Sequence, residues 1–270
     1  MDPAPAPAVP AATLVLVRDG AAGLEVLMLK RHENTVFSGA LVFPGGRVDP
    51  EDGVEALIAR CRAVPGVDRA AMRFRVAAIR ECYEEAHLLL ARRAGEANLL
   101  STPALDALET DAAQHLGGPR HFADLLASGQ LELATDQLVP FARWVTPERS
   151  PRRYDAMFFL ARSPDGQVVR PDGRVAVAAA WLTPAAFLAE ADAARERLVF
   201  ATRMNLLRLA KSGDTVAALA AAAGTAAFIA PLCPEFYRGP DGLRIRIPPG
   251  QGRAMGFDDC DMPTTERPSP

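Results

Sequence analysis

Three carboxylates, Glu81, Glu84 and Glu85, recur at i, i+3 and i+4 within the run 69–93, RAAMRFRVAAIRECYEEAHLLLARR. At 3.6 residues per turn they share an arc of about 100° on one side of a helix. Val76, Ile79, Tyr83, Ala86 and Leu90 fall on the other side and predict an inward-packed helix reaching to about residue 93. Like charges at that spacing repel by a few tenths of a kcal/mol per pair, and crowding raises their pKa values. A divalent cation between them reverses the cost, and hard ions such as Mg²⁺ take carboxylate oxygens together with several waters. Arg80, four residues before Glu84, is spaced to hold one of the carboxylates in place. The reading without chemistry is a solvated acidic helix face.

What stands upstream favours chemistry. Residues 41–46, LVFPGG, are an apolar run ending in a Pro-Gly-Gly turn, which suits a strand that delivers the chain to the helix through a flexible loop. Gly45 and Gly46 let the backbone pass close to phosphates or adopt φ > 0. The string Arg80-Glu81-Cys82-Tyr83-Glu84-Glu85 resembles the REUXEE core of the Nudix box, GX5EX7REUXEEXGU, and Phe43-Pro44-Gly45-Gly46 resembles its opening. Counted from Gly46, the early glutamate of the box falls on Asp52, with Glu51 and Glu55 as displaced alternatives. The connection from Asp52 to Arg80 is about twenty residues longer than usual, and His87 stands where the box has glycine. That insertion, with WVTP at 144–147, PRRYDAMFFL at 151–160, WLTP at 181–184 and TRMNLLRLA at 202–210, resembles the coenzyme A diphosphatase branch of the superfamily, the motif-19 type.

The resemblance implies a mixed β-sheet sandwiched between helices, the α/β Nudix fold, and hydrolysis of a nucleoside diphosphate linked to another moiety. Coenzyme A or acyl-CoA is the substrate it points to. ADP-ribose, NADH or a sugar nucleotide is the enzymatic alternative, and a ligand sensor or interaction module with weakened catalysis is the third reading. By the match, Glu81, Glu84 and Glu85 hold Mg²⁺ or Mn²⁺ and, with Arg80, form the catalytic set; one of them or a loop carboxylate activates water. Gly45 and Gly46 approach the substrate. Arg152 and Arg153, beside Tyr154, could reach a phosphate such as the 3′-phosphate of coenzyme A, and Arg31 with His32 is a weaker candidate of the same kind. Before the second tryptophan motif only Asp172 is acidic, so a base from that loop is doubtful. His87 reads as a helix cap, and Trp144, Trp181, Phe158 and Phe159 as core.

The whole chain sets the bounds. At 270 residues and 49% hydrophobic it can fold as one large domain. A net charge of −3 offers no general attraction to nucleic acid or an anionic membrane. Lys30 and Lys211 are the only lysines, so nearly every base is Arg, which suits bidentate phosphate contacts. Cys61, Cys82, Cys233 and Cys260 have neither zinc nor CxxC spacing and read as reduced thiols of a cytoplasmic protein. Residues 216–233 are apolar but Ala-rich and too weak for a membrane span.

The elements that would position the site follow in order. Residues 1–12 read as a Pro/Ala arm, 13–250 as one Nudix domain and 251–270 as a tail. Strands are expected at 13–17, 24–30, 40–43, 138–146, 153–161, 175–182 and 243–247. The box insertion is 49–68, with a short helix over 54–62. Added helices are expected over about 95–130, broken at Gly117-Gly118-Pro119, and over 185–223, opened by Thr183-Pro184. The added helical region offers a surface for a homodimer.

Overall fold

The computed structural model describes residues 6–33, 38–111 and 119–264. The first strand organises it. β1 (Val9–Gly20) turns back at Gly20–Gly23 into β2 (Gly23–Arg31), a hairpin that contains the strands expected at 13–17 and 24–30. Along β1, Ala12, Leu14 and Leu16 enter one core while Val15 and Val17 enter a second. The period of two thus loads both faces, and both must be covered.

The other strands are β3 (Ala40–Val42), β4 (Gly45–Arg47), β5 (Ala91–Arg93), β6 (Leu131–Leu133), β7 (Val139–Val145), β8 (Tyr154–Arg162), β9 (Ala176–Leu182), β10 (Arg197–Leu198), β11 (Pro231–Leu232), β12 (Glu235–Gly239), β13 (Gly242–Arg246) and β14 (Asp261–Pro263). The main sheet runs β10-β3-β2-β1-β8-β7-β11, with β4 added to β1 and β9 added to β2. β1 and β8 are parallel over nine residue pairs, whereas β2, β4 and β9 join antiparallel, so the sheet is mixed. β12–β13–β14 and β5–β6 form two small separate sheets.

The helices are α1 (Glu55–Ile58), α2 (Arg69–Ala86), α3 (Thr102–Asp111), α4 (Pro119–Ser128), α5 (Pro184–Asp192), α6 (Phe200–Leu209) and α7 (Thr215–Thr225). The first face of the sheet is covered by α2 through Val76, Ile79 and Tyr83, backed by Leu105 of α3 and Phe122 of α4. The second is covered by Phe187 of α5, Phe200 and Met204 of α6, and Ala218 of α7. This is the α/β architecture with helices on both sides. Among the described residues no helix is long and apolar enough to cross a membrane, and all four cysteines are free.

Several boundaries differ from the sequence reading. α2 stops at Ala86 because His87 turns into the left-handed region at φ 57°. Leu88, Leu89 and Leu90, which continue the apolar period, are fully buried as non-helical chain leading into β5. The start of α2 is fixed by Asp68, whose carboxylate accepts the Ala71 N–H at 2.8 Å. The expected arm is shortened, since Val9–Ala12 pair with β8 and, from Ala11, with β4. The described part of the expected tail, 251–264, is drawn into the fold, with Phe257 buried against Trp144 and β14 paired to β13. The helix expected over 54–62 shrinks to α1, after a 3-10 turn at Pro50–Gly53. Part of the expected break at 117–119 lies outside the described residues.

Phe122 pins the added helices to α2: it is fully buried and its ring lies 5.9 Å from that of Tyr83. Phe122→Ala is expected to lower the unfolding free energy by about 3–5 kcal/mol. Urea denaturation reads it, and a midpoint equal to the parent's would show that α4 contributes nothing to the first core.

Candidate active site

The acidic edge of α2 lies against β4. Glu85 is 5% exposed; its Oε2 accepts the Gly45 N–H at 3.0 Å and its Oε1 accepts Arg31 Nη1 at 3.3 Å. Glu81 and Glu84 share a single donor, Arg80 Nη1, at 2.9 and 3.0 Å. The remaining N–H groups of Arg80 go to Asp52 Oδ1 (2.7 Å), Asp52 Oδ2 (3.0 Å) and the Arg47 carbonyl (3.0 Å). Every donor of this guanidinium is used, and the residue is 1% exposed. Arg80 therefore sits as a strut beneath the acids, holding Glu84 as its spacing suggests and Glu81 and Asp52 as well.

The three glutamates are not drawn to a single point. Among the described residues, the cluster whose ligand atoms all lie within 4.8 Å of one another is His87, Asp106 and Glu109. Instead Arg80 separates Glu81 from Glu84, while Gly45 and Arg31 hold Glu85. Burial pushes the Glu85 carboxyl up to about 8, against the Gly45 amide and Arg31 that lower it, with the charges of Glu81 and Asp172 adding to the rise. Burial also pushes Glu81 up to about 7, opposed by Arg80 and reinforced by Glu84 and Asp52. Burial alone would lower Arg80, but its hydrogen bond to Asp52 and the charges of Glu81, Asp52 and Glu84 outweigh that and raise it. Carboxylates that ionise reluctantly beside a saturated arginine are short of positive charge. Their hard oxygen donors fit a divalent cation.

The acids open onto a cleft of about 940 Å³. Its floor is the strip β4–β1–β8, with Ala11 and Thr13 of β1 and Ala156 of β8 keeping it low. Trp144, Phe158 and Phe43 are buried in the second core, as expected for the first two, and also give a face to the cleft. The Trp144 indole N–H donates to Asn205 Oδ1 at 3.1 Å, fixing that wall. Phe159 is core, while Trp181 is half-buried under the Arg18 guanidinium at 4.4 Å.

The expected arginines divide. Arg31 lines the cleft but is paired with Glu85. Arg153 donates Nε to the Thr146 carbonyl (3.2 Å) and Nη1 to the Ala6 carbonyl (2.7 Å). Arg152 is exposed, lines the cleft and has no partner among the described residues. Arg47, which the sequence reading missed, is placed likewise: exposed, on the cleft, its side chain unpaired among the described residues. Its only signal was a basic residue directly after FPGG.

No protein-family model matches the chain. "Putative nudix hydrolase 7" of Caenorhabditis elegans is 26% identical over 190 residues, covering 70% of this chain; the chain spans 57% of that protein's length. The crystal structure of a NUDIX hydrolase from Alicyclobacillus acidocaldarius is similar at 30% identity and a TM-score of 0.67, over 79% of this chain and 96% of that one. The chain belongs to the Nudix hydrolase family. The NUDIX domain of Shewanella oneidensis NrtR, solved in complex with ADP ribose, is similar at 14% identity and a TM-score of 0.40, over 76% of this chain and 86% of that one. At that distance it says nothing of this chain's ligand.

The Nudix box can now be read residue by residue. Asp52, rather than Glu51 or Glu55, takes the early acidic position: fully buried, it pairs bidentately with Arg80 and accepts the Asp49 N–H at 2.8 Å. Gly45 and Gly46 belong to a strand, not a turn, and neither has positive φ. Their need for hydrogen in place of a side chain is steric. A Cβ on Gly45 would lie 2.6 Å from the Ala12 carbonyl oxygen, and one on Gly46 would lie 2.5 Å from the Glu81 carboxyl carbon. His87 shows why glycine suits its position, for it occupies the left-handed cap. Its Nε2 lies 3.3 Å from Glu109, which also accepts the Tyr83 hydroxyl at 2.6 Å. Asp172 accepts the N–H groups of Arg174, Val175 and Ala176 and so shapes its own loop.

Asp52→Ala strands a buried guanidinium and is expected to cost about 3–5 kcal/mol of stability, with Asp52→Asn losing less because it keeps one acceptor. Chemical denaturation of the three proteins checks the order. Equal stability of Asp52→Ala and parent would overturn the strut assignment.

Proposed function

We propose that this Nudix hydrolase is a metal-dependent diphosphatase that splits a nucleoside diphosphate from the moiety it is linked to, with coenzyme A or acyl-CoA as substrate. The observation that carries the reading is one cleft that joins Glu81, Glu84 and Glu85 to Arg47 and Arg152, whose side chains have no partner among the described residues, and to the apolar faces of Trp144 and Phe158. Such a surface suits a ligand with a phosphate-rich middle and an apolar or aromatic end.

Glu81, Glu84 and Glu85 are the residues that would hold Mg²⁺ or Mn²⁺, which when bound neutralises diphosphate charge and lowers the pKa of a water. The chain's own groups do the rest. The Gly45 amide and Arg31 fix Glu85, and Arg80 fixes Glu81 and Glu84. A carboxylate among them, once ionised, can accept the proton of an attacking water. Arg47 and Arg152 have donors to spare for phosphate oxygens. Water adds to one phosphorus and the bridging oxygen leaves with the other; from coenzyme A the products are 4′-phosphopantetheine and 3′,5′-ADP. A cytoplasmic setting is part of this reading, from the cysteine spacing in the sequence.

A panel of coenzyme A, ADP-ribose and NADH, assayed with Mg²⁺ and with Mn²⁺, tests the reading. Coenzyme A is expected to turn over fastest and chelation to abolish turnover. Glu84→Gln and Glu85→Gln are expected to lose about 100-fold or more, the equivalent of several kcal/mol. Variants as fast as the parent would remove the metal assignment. Preference for ADP-ribose or NADH would replace the substrate, and inactivity on all three would favour a ligand sensor.

A further inference from the structure

Just past the acidic edge, the end of α2 meets α3 in a group of polar side chains that the cleft does not use. Tyr83 and His87 stand at i and i+4 across the last turn of α2 and its cap, and Asp106 and Glu109 at i and i+3 on one face of α3. One ligand atom from each of His87, Asp106 and Glu109 lies within 4.8 Å of the other two. His87 Nε2 is 3.3 Å from Glu109 Oε2 and 3.6 Å from Asp106 Oδ1. None of the three residues lines the cleft that holds the box glutamates.

The imidazole nitrogen decides what this group is for. Nε2 is sealed from solvent, yet it makes no hydrogen bond among the described residues, although two acids stand within ion-pair range. Leaving a buried polar atom without a partner is costly, and an imidazolium held for its charge would aim its N–H at an acid. The Glu109 contact is short enough for a hydrogen bond and fails on direction, so that oxygen lies off the axis of the ring nitrogen. Such a place is where the next ligand of a shared metal ion sits. A tetrahedral ion with bonds of about 2.0–2.1 Å sets its ligand atoms about 3.3–3.4 Å apart, close to the spacings of Nε2 from the two acids. The side chains are also held in place from outside. Glu109 accepts the Tyr83 hydroxyl on its other oxygen, Oε1, at 2.6 Å, and Arg170 grips Asp106 with both Nη atoms at 2.7 and 2.9 Å. The Tyr83 ring lies 5.8 Å from the imidazole. Outer partners of this kind fix the orientation of metal ligands.

We propose that His87, Asp106 and Glu109 bind a divalent transition-metal ion of the Zn²⁺ type, with water at the fourth position. One imidazole nitrogen beside two carboxylates suits such an ion better than Mg²⁺, which the all-oxygen edge of the box suits. The ion clamps α3 to the end of α2, where the Arg170 N–H already donates to the Ala86 carbonyl at 2.9 Å. It joins the added helices to the turn directly after Glu85. The site is structural and stands whether or not the cleft is that of a diphosphatase.

The test titrates zinc chloride into the full chain by calorimetry, in excess Mg²⁺ to fill carboxylate-only sites. Glu109→Gln keeps the shape and an acceptor for Tyr83, and His87→Asn keeps a residue that tolerates the left-handed cap, so both are expected to fold. Each is expected to weaken zinc binding about 100-fold or more, and Tyr83→Phe about tenfold. Glu84→Gln, on the box edge, is expected to bind zinc as the parent does. Zinc at about a hundred times its dissociation constant is expected to raise the parent's melting temperature by about 5 °C and to leave that of His87→Asn unmoved. A parent that binds no zinc would overturn the site and leave His87 as an ion-pair partner of the two acids. Binding of parental strength in both His87→Asn and Glu109→Gln would overturn it too, and its loss in Glu84→Gln would move the ion to the box edge.

Discussion

One buried guanidinium holds the candidate site together. Arg80 ties the 3-10 turn through Asp52, strand β4 through the Arg47 carbonyl, and the acidic edge of its own helix through Glu81 and Glu84. A charge this deep is tolerated only when its hydrogen bonds are complete, and here they are. The arrangement also leaves a surplus, because one arginine faces four carboxylates, those of Asp49, Asp52, Glu81 and Glu84. That surplus, rather than any one side chain, makes the edge receptive to a further cation.

The second constraint is closeness of backbone. β4 bears no side chain at Gly45 or Gly46, so β1 can pack beside it and Glu81 can rest on it without collision. The same strand donates an amide to Glu85. Acids, strand and cleft floor are thereby locked at van der Waals distance. The opposite side of the sheet contributes Trp144, Phe158 and the start of α6, which gives the cleft one charged end and one largely apolar wall.

Much of this was legible in the sequence. The spacing of Glu81, Glu84 and Glu85 with the apolar positions opposite gave the helix and its acidic edge, and the mixed sheet between helices followed from the order of strands and helices. What was hidden is non-local or carries no pattern. Arg80 at i−4 announced Glu84, and the count from Gly46 pointed to Asp52, but nothing announced that Asp52 reaches Arg80 across the insertion. Leu88, Leu89 and Leu90 extend the helical period, so the stop at His87 is invisible until the left-handed turn is seen. Pro-Gly-Gly reads as a turn, yet its glycines serve a strand. Arg47 is a lone base. The C-terminal stretch lacks periodicity, although Met255 and Phe257 are buried.

The pairing of Asp52 with Arg80 has a consequence for chain length. It closes the segment between them into a loop anchored at both ends, and the entropy of closing a loop grows only with the logarithm of its size. Lengthening the usual seven-residue link by about twenty costs on the order of 1 kcal/mol, less than the roughly 3–5 kcal/mol lost when one partner of a buried ion pair is removed. The segment behind this clasp can therefore drift in size over evolutionary time, or accept engineered insertions, while the acids in front of it stay where they are.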